Sequence, residues 1–300
     1  MVGGRQARSM NFSGVYVPLI TPFAESGAIA ADALEALAHE VLDGGAAGLV
    51  ALGTTAEVAA LAAEERRAVV EICGRVCRER GATLIVGAGS SDTRGSAEAL
   101  LALKGEADAA LVTVPSFVRP SEAGVLAHFT ALAGQTPVPL IVYNIPYRTG
   151  QSVGAATMRE IGGLPMVAGV KHAVGGVDAD TVALLADPPA DFAILAGDDP
   201  FFPALLALGA RGGILASAHL DTARFVELAE AWRAGEVAHA RALGHRLSVM
   251  SASLFTEPNP TVLKGVLHAR GRIPTASVRL PLLPARRESV EAVLRLSDLS

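Results

Sequence analysis

The sequence predicts an α/β fold, and three observations narrow it to a closed barrel of eight strand–helix units followed by a helical extension. Short apolar runs alternate regularly with Ala- and Leu-rich stretches over most of the chain. The apolar runs lack the in–out alternation of a half-solvated sheet, which fits parallel strands buried on both faces. Eight such units in a 300-residue chain that is 51% hydrophobic and 18% charged suit one barrel better than an open doubly wound sheet.

Residues 15–20 read as the first strand, ended by Thr21-Pro22, and 32–42 as its helix, stopped by Gly44-Gly45. The same alternation pairs strand 48–52 with helix 64–80, strand 83–86 with helix 95–104, and strand 109–114 with helix 121–133. It continues with strand 140–143 and helix 155–161, strand 167–171 and helix 178–186, and strand 192–196 and helix 200–208. The last strand is 213–216. From Asp221 onward only helical patterns recur, at 222–233, 236–255, 261–268 and near 286–296. The reading is a (β/α)8 TIM barrel over residues 12–220 and a C-terminal helical domain over 221–300. Residues 1–11 are polar, with no apolar core or cleavage-site pattern, and are expected to form a disordered arm rather than a secretory signal.

Composition excludes several function classes. A net charge of −5 with no basic block argues against a nucleic-acid partner. No apolar run reaches the roughly 20 residues of a membrane span, and a cytoplasmic protein is expected. The only cysteines, Cys73 and Cys77, lie one helical turn apart and read as packed thiols in a reducing compartment. The seven histidines show no ligand spacing, so no metal is expected. Gly87-Ala88-Gly89 falls short of a dinucleotide fingerprint, and no cofactor is expected.

In a barrel, chemistry sits where strands end. The sixth strand ends in Lys171, one of three lysines in a chain with 25 Lys and Arg together. A chain that uses arginine for its solvated charge has little general need of lysine. A desolvated lysine can lose its proton, as arginine cannot, and the neutral amine can attack a ketone. Taken alone, the stretch fits equally a lysine that caps the strand and reaches solvent. Strand ends would bring Tyr143, Thr54 and Thr55 to the same mouth. Each has a plainer reading: Tyr143 as a core aromatic, the threonines as a turn or cap, Arg148 as a surface ion pair. Asp199-Pro200 reads as a helix N-cap followed by proline at the first position. Only convergence at one mouth gives these residues weight.

Gly53-Thr54-Thr55, Tyr143-Asn144-Ile145-Pro146 with Arg148-Thr149-Gly150, Gly169-Val170-Lys171, Gly197-Asp198-Asp199 and Glu257-Pro258-Asn259-Pro260 occur in a shared order and spacing. In this the chain resembles the dihydrodipicolinate synthase / N-acetylneuraminate lyase family, over about residues 14–284. Arg148 and the EPNP stretch resemble its synthase branch. The resemblance implies a Schiff-base lyase that condenses pyruvate with aspartate semialdehyde in lysine biosynthesis. Lys171 would attack the ketone, Tyr143 would shuttle protons, and Thr55 would hydrogen-bond that tyrosine. Thr54 and Thr55 would hold the pyruvate carboxylate, Arg148 the carboxylate of the aldehyde, and Gly213 and Ile214 would line the pocket. It also implies a homotetramer, a dimer of dimers.

The chain departs from the family pattern at three points. Ser116 and Phe117 stand where the synthases carry two tyrosines, the second of which completes a proton relay across a subunit interface. Ala56 replaces the glycine of Gly-Thr-Thr-Gly-Glu, and His172 replaces the glutamate after the lysine. Phe117 favours a pyruvate-dependent aldolase for another aldehyde, such as one giving a 2-keto-3-deoxy sugar acid, whereas Arg148 with EPNP favours the synthase. A third reading, a non-catalytic relative that binds a keto acid, is opposed by the presence of Lys171, Tyr143 and both threonines.

Overall fold

The computed structural model describes residues 12–297. The expected 1–11 arm lies outside the described residues. Eight parallel strands close on themselves in sequence order, and the first pairs with the last. They are β1 (Gly14–Pro18), β2 (Gly48–Ala51), β3 (Thr83–Gly87), β4 (Ala109–Thr113), β5 (Leu140–Asn144), β6 (Val167–His172), β7 (Ala193–Ala196) and β8 (Gly212–Ile214). The helices between them are α1 (Ala31–Asp43), α2 (Ala63–Arg80), α3 (Thr93–Leu101), α4 (Glu122–Ala133), α5 (Pro146–Thr149), α6 (Ala155–Gly162), α7 (Ala179–Ala186) and α8 (Phe202–Ala207). Then come α9 (Thr222–Ala234), α10 (Val237–Leu254), α11 (Thr261–Ala269) and α12 (Arg287–Ser297). This is the expected TIM barrel with C-terminal helices. Among the described residues no helix is long and apolar enough to cross a membrane.

Successive strand side chains point to opposite faces. Tyr16, Val50, Ile85, Leu111, Ile141, Leu195 and Ile214 fill the barrel interior. Their neighbours Val17, Leu49, Val86, Val112, Val142 and Ile194 face the helices. Both faces are therefore apolar, which is why the sequence showed runs instead of alternation. The closing seam is made by glycine: Gly14 pairs with Gly212. A Cβ on Gly212 would lie 1.9 Å from the Gly14 carbonyl oxygen.

Several element boundaries differ from the expected ones. The carboxylate of Asp92 accepts from Gly95 N at 2.9 Å, so α3 starts before the expected residue 95 and ends at Leu101, short of 104. β8 stops at Ile214, and residue 216 belongs to a 3-10 turn, Ala216–His219. His219 pins that turn: Nδ1 donates to Ala216 O at 2.8 Å, and Nε2 accepts from Ile20 N at 3.2 Å. The short α5 was not expected. Proline at its first position starts it, and Gly150, at φ 68°, ends it. Beyond the barrel, α9 lies against β1 and α10 against α8 and α9, while α12 packs on α10 and α11.

Candidate active site

β5 and β6 are neighbours, and Tyr143 is the register partner of Lys171. Both side chains point into the barrel mouth, and each residue is only 6% exposed. Lys171 Nζ stands 4.3 Å from the centroid of the Tyr143 ring. The next strand supplies room for this arrangement. A Cβ on Gly197 would meet Lys171 Cγ at 2.8 Å and Cε at 3.1 Å.

Above Lys171 lies a cavity of about 110 Å³. Thr54, Thr55, Tyr143, Arg148, Lys171 and Ile214 share its wall. Of the residues expected at the site, Gly213 alone is not in that wall; it is buried one position earlier in β8. The cavity widens into a second space of about 410 Å³, and Tyr147, Arg148, Asp198, Asp199 and Asn259 border both.

Thr54 and Thr55 open a 3-10 turn, Thr54–Ala56, directly after β2. Thr21 Oγ1 donates to Ala56 O at 2.8 Å and ties this turn to the end of β1. Thr55 is buried, and its Oγ1 accepts from Asn259 Nδ2 at 3.0 Å. Among the described residues no hydrogen bond joins Thr55 to Tyr143. Arg148 rides on α5 at the entrance, exposed, with its guanidinium 5.6 Å from the Tyr147 ring.

Asp199 corrects the N-cap reading. Its carboxylate does not cap its own helix but accepts from Ser217 N, 18 residues away, at 2.5 Å. Burial pushes its pKa up to about 6, against the pull of hydrogen bonds from Ser217 and the charge of Lys171. Burial also raises Asp198, whose Oδ2 accepts from Gly175 N at 2.6 Å. His172 turns away from the cavity toward α7. The Thr181 hydroxyl donates to Asp178 Oδ1 at 2.7 Å, so its oxygen accepts from His172 Nε2 at 2.9 Å. Burial lowers the His172 pKa. Phe117 is 92% exposed and holds a left-handed backbone, φ 68°.

Two residues near the site carry no role in the sequence reading. Asn259 was visible only as part of a motif. Glu57, at the end of the Thr54–Ala56 turn, forms a buried ion pair with Lys264. The scarcity of lysine that singles out Lys171 singles out Lys264 equally, and that signal was there to be read.

A closed parallel barrel with an amine, a phenol, two hydroxyls and a guanidinium around a cavity at its C-terminal mouth is the architecture of a small-molecule enzyme. Residues 11–297 match the model of the dihydrodipicolinate synthetase family, and the chain belongs to that family. It is 36% identical to the 4-hydroxy-tetrahydrodipicolinate synthase of Moorella thermoacetica, across 95% of this chain and 97% of that protein. It is 35% identical to 4-hydroxy-tetrahydrodipicolinate synthase 2 of Clostridium acetobutylicum, across 92% and 96%. Among solved structures, dihydrodipicolinate synthase from Thermotoga maritima superposes with a TM-score of 0.92 at 29% identity, covering 97% of this chain and all of that one. A structure described as a monomeric dihydrodipicolinate synthase variant also gives 0.92, at 28% identity and 97% and 99% coverage.

Proposed function

We propose that this protein is a Schiff-base-forming, pyruvate-dependent lyase whose reaction is that of a 4-hydroxy-tetrahydrodipicolinate synthase, joining pyruvate to aspartate semialdehyde. The observation that carries this reading is the buried Lys171 amine set against Tyr143 beneath a small, hydroxyl-lined cavity. The amine adds to the C2 ketone of pyruvate, and loss of water from the carbinolamine gives the imine. Loss of a C3 proton then gives the enamine, which attacks the aldehyde carbon. Tyr143 is placed to carry protons on and off the carbinolamine oxygen. Thr54 and Thr55 hold the pyruvate carboxylate, with Ile214 in the wall and Gly213 behind it. Arg148, exposed at the entrance, is the planar fork for the carboxylate of the incoming aldehyde. Names of relatives at 34–36% identity support the synthase reaction.

Phe117 favours a second reading, a pyruvate-dependent aldolase for another aldehyde, because its ring has no hydroxyl. A strained aromatic that is 92% exposed in one chain also supports a contact between subunits, and we read the assembly as a homotetramer built from dimers. Sedimentation at micromolar concentration tests it, and a monomer refutes it.

The central experiment is borohydride reduction with saturating pyruvate. A reduced three-carbon adduct on the peptide containing Lys171 is expected. No adduct would leave only the non-catalytic reading. A panel of aldehydes on the active protein then separates synthase from aldolase.

A further inference from the structure

The segment that leads from the EPNP stretch into α11 grips the turn that carries Thr54 and Thr55. Glu57 closes that turn in a left-handed conformation, φ 55°. Its Oε1 accepts from Lys264 Nζ at 2.6 Å, and the side chains of the pair are 2% and 0% exposed. Its Oε2 accepts from Arg279 N at 2.7 Å. Lys264 Nζ also sits 4.0 Å from the centroid of the buried Phe23 ring. A buried pair of this kind is costly to break, because the surviving charge is left without a partner. Lys264 lies on α11, which begins two residues after Asn259. Asn259 in turn donates Nδ2 to Thr55 Oγ1.

A hydroxyl has one hydrogen to give. Once its oxygen accepts from an amide, that hydrogen must point elsewhere, and Thr55 lines the cavity beside Lys171. We infer that Asn259 is a positioning residue that aims the Thr55 hydroxyl hydrogen into the keto-acid site, and that the buried Glu57–Lys264 pair holds turn and helix in the register that forms this bond. The inference rests on the keto-acid reading above. It makes the C-terminal extension part of the site, through Thr55.

Half-saturating pyruvate for borohydride trapping at Lys171 is the readout, followed by peptide mass. Asn259→Ala should raise it roughly tenfold, the worth of one hydrogen bond to a charged group, while the trapping rate at saturation changes by less than about threefold. Asn259→Asp should be worse than Asn259→Ala. Its carboxylate would accept the Thr55 hydrogen and turn it away from the cavity, whereas a merely space-filling role would rank the isosteric aspartate above alanine. In a Thr55→Val background Asn259→Ala should add less than about twofold, because the effect runs through the lost hydroxyl. Lys264→Met should raise half-saturation in the same way. If that variant fails to fold, the charge-free pair Glu57→Gln with Lys264→Met takes its place.

Adduct on the unaltered protein with an unchanged half-saturation in Asn259→Ala, or with aspartate above alanine, or with a full Asn259→Ala effect in the Thr55→Val background, overturns the inference alone. No adduct on the unaltered protein overturns the Schiff-base reading above, and this inference with it.

Discussion

At position 197 a single methyl group decides where the reactive amine stands. Alanine there would push its Cβ to 2.8 Å from Lys171 Cγ and the same distance from Ala173 Cβ. The lysine chain is the softer neighbour and must give way, which moves its amine from the place it holds against Tyr143. Displacing a reacting group by about 1 Å can cost on the order of 10²-fold. Gly197→Ala is therefore expected to slow trapping by roughly that factor, with a stability loss of about 1–3 kcal/mol from overpacking. Trapping at the normal rate would show that the lysine has more room than the close contacts allow. Phe117 poses the opposite case, a missing atom. If its ring reaches a neighbouring subunit's site, Phe117→Tyr restores a proton donor, and general acid–base groups are worth about 10²–10⁴ in rate. Turnover with aspartate semialdehyde should rise on that substitution. An unchanged or lower rate in a folded, assembled variant would count against a proton relay that Phe117 leaves incomplete.

Strands and helices show where local sequence suffices and where it does not. Strand positions were legible because each is a run of Val, Leu, Ile and Ala fenced by glycine or proline. Tyr143 and Lys171 were legible as mouth residues because both sit at strand ends. The start of α3 drifted because Asp92 caps it from outside the periodic segment, whereas the caps at Ser121, Asp178 and Asp221 fall where the helical patterns begin. Asp199 has the sequence of a cap, yet its carboxylate binds a backbone N–H 18 residues away. The bond from Asn259 to Thr55 spans 204 positions, and the one from Lys264 to Glu57 spans 207. No periodicity reports contacts of that range. Barrel closure is equally non-local. Gly212 fell just outside the last strand as read from sequence, but a Cβ on it would strike the Gly14 backbone, which cannot yield without parting β1 from β8. Gly212→Ala should cost more than about 4 kcal/mol in urea unfolding, the range reserved for gross misfit. Gly176→Ala meets nothing within 4 Å and has no left-handed backbone, so it should stay within about 0.5 kcal/mol.

At the scale of the whole molecule, two of the buried titrating groups, His219 and Asp199, pull stability in opposite directions with pH. His219 is buried, with both ring nitrogens engaged, and burial pushes its pKa down to about 4. An unfolded histidine titrates near 6.5. As pH falls through that interval the unfolded chain takes up the proton first. His219 thus contributes stability that is fully present above about 6.5 and is lost as pH falls toward about 4. Asp199 runs the other way. Its pKa, raised to about 6, exceeds the ordinary value of 3.8, so the folded chain takes up the proton first. Its contribution is fully present below 3.8 and is lost as pH rises through about 6. At about 1.4 kcal/mol per pKa unit each amounts to about 3 kcal/mol, and between pH 4 and 6 the two nearly cancel. Single substitutions should uncover them. Asn at 199 can still accept from Ser217 N, so Asp199→Asn should lose about 3 kcal/mol relative to the unaltered protein between pH 6.5 and 4. His219→Gln should gain a similar amount over the same window. Urea midpoints of the three ligand-free proteins, taken at half-unit steps, measure both slopes, and shifts of the same sign in the two variants would show that one of these groups titrates as it does in water.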